Sequence, residues 1–274
     1  MYEDPAIELE VFAQSSRVFC IASAGCTARA LSAAGHIVTA VDIKPLQILY
    51  AKARAAGAPF CEGGAERLLS RARTFLPLLG WTETCRRKFL AMRDLSEQHQ
   101  YWRRALDTKP WRMAVDTFLS ASLLKLIYTR PFVASLPRRF GSVVRARLER
   151  AWRSHPNASN PYAWRLLLGE IPPSEPAAPG IRFECADAAS FLEGCSPASF
   201  DAFSPSNIGD GAPPSYVQRL YRAVKRGAAP GAVVVIRSFA EPAIATRENF
   251  TARDRSMLWG AVHATRAEDL CSTF

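Results

Sequence analysis

Apolar residues recur along this chain with two different periods, and the change of period divides it. Residues 17–24, RVFCIASA, form a short β-branched and aromatic run that ends in small residues. The following CTARALSAAG has helical spacing and is closed by Gly35. HIVTAVD alternates and ends at Asp42, after which IKPLQILYAKARAAG predicts a helix with Pro45 in its first turn and Gly57 past its end. These segments predict a βαβα unit, the start of a parallel sheet. From about residue 58 to residue 180 the spacing is helical throughout, in RARTFLPLLGW, CRRKFLAMRDLSEQHQYWRRAL, DTFLSASLLKLIY and FGSVVRARLERAW. This stretch predicts a helical insertion between the second and third strands, closed by the proline-rich IPPSEPAAPG. Strand character resumes in IRFECAD, which ends at Asp187 and leads into a helix, AASFLEG. FDAFSPSNIGDG then predicts a strand running into a polar loop, PPSYVQRLYRAVKRGAAPG a helix, AVVVIRSF a strand, and DRSMLWGAVHATRAEDL a last strand with a terminal helix or turn.

The expected fold is therefore α/β, a Rossmann-like sheet of the class I methyltransferase type. Residues 1–57 and 181–274 are expected to form the sheet domain, and residues 58–180 the helical insertion, facing an acceptor or a membrane. In doubly wound sheets the ligand lies across the carboxyl ends of the strands, where strand order reverses. Those ends carry Ser23, Ala24, Gly25 and Cys26, then Asp42, then Asp187 with Ala188, then Ser204 through Asn207 to Asp210. Small residues at the first end let a ligand approach the backbone and the amides of the next helix. Asp42 is placed to accept both hydroxyls of a ribose, and Asp187 is placed near an adenine amino group. One glycine in the first loop does not satisfy a dinucleotide fingerprint, which argues against NAD and for an adenosyl ligand without a pyrophosphate. Asp42 and Asp187 also have a purely structural reading, as helix N-caps.

Charge and cysteine content sharpen the class. The net charge is +10, and residues 67–153 hold 19 Lys or Arg against 6 Asp or Glu, a local +13. Basic residues interleaved with Trp81, Trp102, Trp111 and Phe118 suit an anionic membrane surface, with Arg86, Arg87 and Lys88 as the expected docking cations. The same pattern also fits a solvated arginine-rich face over a packed aromatic core. Seven scattered cysteines without a C-x-x-C pair argue for reduced thiols and against a zinc site, and the four histidines show no metal-binding spacing, so no metal is expected. The opening MYEDPAIELEVF lacks a basic stretch followed by an apolar run, and residues 118–136 are interrupted by Lys125, Arg130 and Pro131. The expectation is a cytoplasmic protein, peripheral at the inner face of a membrane.

Several segments carry a resemblance: YEDP at 2–5, IASAGCTARAL at 21–31, AVDIKPLQ at 40–47, NPYAWRLLLG at 160–169, FDAFSPSNIGDGAPPSY at 200–216, RSF at 237–239 and DRSMLWG at 254–260. In this order they resemble the betaine-lipid synthase family, whose best-known members are S-adenosylmethionine:diacylglycerol 3-amino-3-carboxypropyltransferases. The resemblance implies S-adenosylmethionine as cofactor, held by the strand-end residues together with Ile43 and Gln47. It also implies a lipid or small-molecule acceptor and release of methylthioadenosine. Turning the amino-acid arm toward an acceptor requires cationic partners, for which Arg237 and Arg255 are the candidates, and removing the acceptor proton falls to Asp210, then Tyr216, then Asp254. Two other readings stay open: a methyltransferase acting on a small molecule, and a basic binding module without turnover. The SPSN loop differs from the Asn-Pro-Pro-Tyr-like motif of amino-methylating enzymes, so a nucleic-acid partner is not expected.

Overall fold

The structure, a computed structural model, describes residues 3–14, 16–170, 178, 180–241 and 249–270. Tyr2, Cys271 and most of the IPPSEPAAPG linker lie outside these. Six strands form one sheet: β1 (Arg17–Ile21), β2 (Ile37–Asp42), β3 (Arg182–Cys185), β4 (Phe200–Ser206), β5 (Ala228–Ser238) and β6 (Ala261–Arg266). Their order is β3-β2-β1-β4-β5-β6, parallel except for β6, which runs antiparallel to β5. With helices on both faces, this α/β architecture is compatible with a Rossmann-like fold.

Each face of the sheet is built by every second residue of a strand. Val18 and Cys20 of β1, Val38 and Ala40 of β2 and Val235 of β5 point to the side covered by α1 (Ala6–Val11), α2 (Cys26–Ala33) and α3 (Pro45–Ala55). Phe19, Val41, Phe203 and Val234 point to the other side. The third strand ends two residues earlier than the sequence suggests, because Asp187 caps the next helix instead of ending the strand. The fifth strand starts earlier, at Ala228, and takes in Pro230 and Gly231 where its register against β4 shifts.

Between α3 and β3 the described chain is helical: α4 (Gly64–Phe75), α5 (Glu83–Leu90), α6 (Leu95–Tyr101), α7 (Lys109–Phe118), α8 (Ala121–Leu124), α9 (Arg130–Ser135), α10 (Phe140–Ser154) and α11 (Pro161–Leu168). The run 85–106, which reads as one helix, is split: Asp94 caps α6 by accepting the Glu97 amide at 2.8 Å. The run 116–128 is split likewise, between α7 and α8. On the second face of the sheet lie α12 (Ala188–Gly194) and α13 (Pro214–Gly227).

Trp81, Trp102 and Trp111, which fit either a membrane interface or a packed core, are the centre of the helical core. They are buried, Trp81 stacks on Trp111 at 4.1 Å between ring centroids, and the Trp81 indole N–H donates to the Leu106 carbonyl at 2.8 Å. The expected docking cations are also engaged. Arg86 donates to the Leu167 carbonyl at 2.6 Å, Arg87 pairs with Glu83 and Glu170, and Lys88 lies over the Tyr101 ring. Arg73 reaches the carbonyls of Arg165 and Leu166 beside Arg86, so two arginines serve the last turn of α11, where Gly169 closes the helix at φ 77°. Part of the basic excess thus caps a helix. No helix among the described residues is long and apolar enough to cross a membrane.

Candidate functional site

Strand order reverses between β1 and β4, and the residues at the carboxyl ends of these strands and of β2 converge there. The chain leaves β1 through a tight turn in which the Gly25 amide donates to the Ala22 carbonyl at 2.6 Å. Ser23 and Gly25 both take the left-handed conformation, at φ 46° and 78°. A Cβ on Gly25 would also stand 3.3 Å from the Ala51 Cβ of α3, so this position needs glycine for its backbone as well as for any ligand. Asp42 braces the turn from the next strand. One carboxylate oxygen accepts the Ser23 amide at 3.1 Å and the other accepts the Lys44 amide at 2.9 Å. Asp42 remains partly exposed, as do Ser23, Cys26 and Gln47 around it, and Ile43 is open to solvent. Ala24 and Ala188 are buried.

Asp187 sits beyond the strand that pairs Cys185 with Asp42. Its helix-capping role is realised: Oδ1 accepts the Ser190 amide and hydroxyl, both at 2.9 Å, while Oδ2 accepts the Tyr216 hydroxyl at 2.6 Å. Partial burial opposes its ionisation, but the bonds from Tyr216 and Ser190 and the nearby Arg219 outweigh this and hold the carboxyl below its ordinary range. Burial and the Asp187 carboxylate together push the Tyr216 phenol up. Tyr216 is therefore a fixed donor and unsuited to the role of proton acceptor assigned to it from sequence.

Asp210 is likewise a brace. It accepts the Ser238 hydroxyl at 2.6 Å, the Phe239 amide at 3.0 Å and the Asn207 side-chain amide at 3.2 Å, and so ties the loop after β4 to the end of β5. Both arginines expected to receive a substrate carboxylate are already paired. Arg237 is fully buried, its guanidinium on both oxygens of Glu8 and on the Asp4 carbonyl. Burial disfavours its charge, yet Glu8 more than compensates and the guanidinium is held firmly protonated. Arg255 grips Asp4 with two bonds, at 2.6 and 2.7 Å, and donates its backbone amide to the same carboxylate. Asp254 and Arg255, though adjacent in the chain, turn to different partners. Asp254 is buried and faces Arg237 at 3.8 Å.

The residues that sequence reasoning missed lie in the first eight positions. Glu3 accepts the Ser206 hydroxyl and, at 3.2 Å, the Thr27 hydroxyl, and so bridges the end of β4 to the start of α2. Its carbonyl accepts the Tyr162 hydroxyl at 2.7 Å. Glu8 accepts the Ser204 hydroxyl at 2.7 Å, which keeps that predicted cofactor contact buried under α1. The N-terminal segment thus lies across the ends of β4 and β5 and brings three buried carboxylates, Glu3, Asp4 and Glu8, to the reversal point. Three acids within eight residues at the head of a basic chain were the available signal.

Burial raises the Asp254 carboxyl to about 6, with Arg237 offsetting only part of the cost. A carboxyl whose folded value exceeds its unfolded value binds its proton more tightly when folded, so this group favours the fold increasingly as pH falls from about 7 toward 4. Asp254→Asn is expected to remove about 2 kcal/mol of pH dependence from urea unfolding across that window. Unchanged slopes in the variant would show that Asp254 titrates normally.

Comparison with family models, with curated proteins and with solved structures gives no match for this chain.

Proposed function

We propose that the protein is an S-adenosylmethionine-dependent transferase on a class I methyltransferase-type Rossmann-like sheet, with its helical segment inserted between β2 and β3. The observation that carries this reading is Asp42. It is a partly exposed carboxylate at the end of β2, fixed against the left-handed Ser23–Gly25 turn of β1, beside the point where strand order reverses. That arrangement suits a ribose diol on the carboxylate and an adenosyl group along the strand ends, toward Ile43, Gln47 and Asp187. Glu3 accepts from Thr27 and Asp42 from Ser23, so two carboxylates meet the segment 23–27, an environment favourable to a sulfonium cation. Asn207 directly follows β4 at the same strand ends.

The resemblance of the strand-end and DRSMLWG segments to betaine-lipid synthases directs the choice of transferred group. In this reading an acceptor hydroxyl, of diacylglycerol or a related lipid, attacks the γ-carbon of the methionine arm. The carbon–sulfur bond breaks, 3-amino-3-carboxypropyl is transferred, methylthioadenosine leaves, and the hydroxyl proton passes to a base. A second reading, methyl transfer to a small molecule, is favoured by one specific observation: Arg237 and Arg255 are spent on Glu8 and Asp4 and offer the arm's carboxylate no open cation.

The by-product decides between them. Purified protein incubated with S-adenosylmethionine and diacylglycerol dispersions is expected to form methylthioadenosine above the spontaneous background, read by mass spectrometry. S-adenosylhomocysteine instead would establish methyl transfer. Tight cofactor binding with neither product would make the chain a binding module.

A further inference from the structure

Residues 117–148 contain no Asp or Glu. After α8 the helical bonding persists for one more turn: the amides of Leu126, Ile127 and Tyr128 donate to the carbonyls of Leu123, Leu124 and Leu124, at 3.1, 3.0 and 2.9 Å. Leu124 is buried, and its neighbours pay for that inward anchor with their own exposure. Leu123 is 40% exposed, Leu126 80%, Ile127 42% and Tyr128 38%, so four large apolar side chains stand out within six residues. Such a cluster on an exposed turn calls for an occupant.

Charge identifies which one. Lys125 and Arg130 lie within the turn, and Arg138 and Arg139 lie close by, since Phe132 and Phe140 both pack edge-on against Phe239 at 5.9 and 5.8 Å. All four cations are exposed, and none of them forms an ion pair among the described residues, in contrast to Arg145 and Arg147, which are held by Asp116 and Glu241. We propose that this turn, residues 121–131, is a membrane-docking tip: Leu123, Leu126, Ile127 and Tyr128 enter the interface of an anionic bilayer while Lys125, Arg130, Arg138 and Arg139 lie along its headgroups. A protein partner would have to supply both an acidic rim and a pocket shaped to protruding side chains, whereas a bilayer supplies charge and apolar depth without shape matching. Protein interfaces also tend to exclude lysine, which sits here in the middle of the apolar set.

The tip is joined to the strand-end site. The backbone at Pro131 and Phe132 lies so close to Gly211 that a Cβ there would stand 2.5 Å from the Phe132 Cα. Gly211 directly follows Asp210, the brace between β4 and β5. The end of the tip thereby touches the loop that follows β4, so the inference deepens the lipid-acceptor reading and rests on it for its purpose, though not for its test.

The experiment is co-sedimentation of the full chain with vesicles of phosphatidylcholine alone or with phosphatidylserine. Wild type is expected to bind the anionic vesicles, and less so as salt rises. The double variant Leu126→Asp with Ile127→Asp should bind at least about tenfold more weakly at any salt, and Lys125→Glu with Arg130→Glu about tenfold more weakly on anionic vesicles alone. Cofactor affinity, measured by calorimetry in the same variants, should stay at the wild-type value and so show that they fold. Absence of wild-type binding, or binding untouched by both variants, overturns the tip. So does capture of a defined protein through these residues with vesicles ignored. Vesicle binding without any transfer to diacylglycerol would leave the tip standing and sink the lipid-acceptor reading instead.

Discussion

Asp42→Ala is expected to weaken S-adenosylmethionine binding by about 100-fold or more, measured by titration calorimetry, and to abolish by-product formation with it. Two effects add. The variant removes both acceptors offered to a ribose diol, each charge-assisted bond being worth about 1.5–3 kcal/mol. It also frees the Ser23 amide that fixes the left-handed turn after β1. Asp42→Asn keeps the shape and one acceptor, so it should lose only about tenfold. Loss of the Ser23 and Lys44 amide bonds should also cost the alanine variant about 1–2 kcal/mol of stability, and the asparagine variant less. Cofactor affinity within about twofold of wild type in the alanine variant would remove the observation on which the functional reading rests.

Asp42 was legible in the sequence because strand alternation in HIVTAVD runs directly into it, and a carboxylate at a strand end is a local feature. The same holds for the first turn, where a strand of β-branched and aromatic residues meets small ones. Local pattern failed where the deciding contact is distant or where two local signals compete. Apolar spacing continues through residues 91–94, so nothing but the cap at Asp94 marks the break between α5 and α6. Tryptophans among arginines read equally as an interfacial belt or a core, and only the stacking of Trp81 on Trp111, thirty positions apart in the chain, decides for the core. Arg237 and Arg255 follow the same rule. As cations at and beyond the end of β5 they look available, because the acids that occupy them, Glu8 and Asp4, lie more than 200 residues earlier in the chain.

That long-range pairing carries the other large expected effect. Arg237 and Glu8 are both fully buried, and the guanidinium also holds the Asp4 carbonyl while facing Asp254. Replacing Arg237 by methionine strands the Glu8 carboxylate in a dry site beside Ser204, and an unpaired buried charge costs about 3–5 kcal/mol. Arg237→Met should therefore lower urea stability by that amount, and Glu8→Gln should destabilise for the complementary reason, leaving the cation without its counter-charge. The double variant is the informative one. With neither charge present the desolvation penalty disappears, so Glu8→Gln with Arg237→Met should be markedly more stable than the sum of the single losses, by a coupling of about 2–3 kcal/mol. Additive losses would mean that the two groups reach solvent or other partners, and that the N-terminal segment is not held across the strand ends by this pair. If the coupling is found, cofactor affinity in the double variant reports on the site itself. Retained affinity would free Arg237 from any role toward the ligand. Loss despite restored stability would mean that the position of α1, and with it Glu3 beside the Ser23–Gly25 turn, helps to shape the crevice.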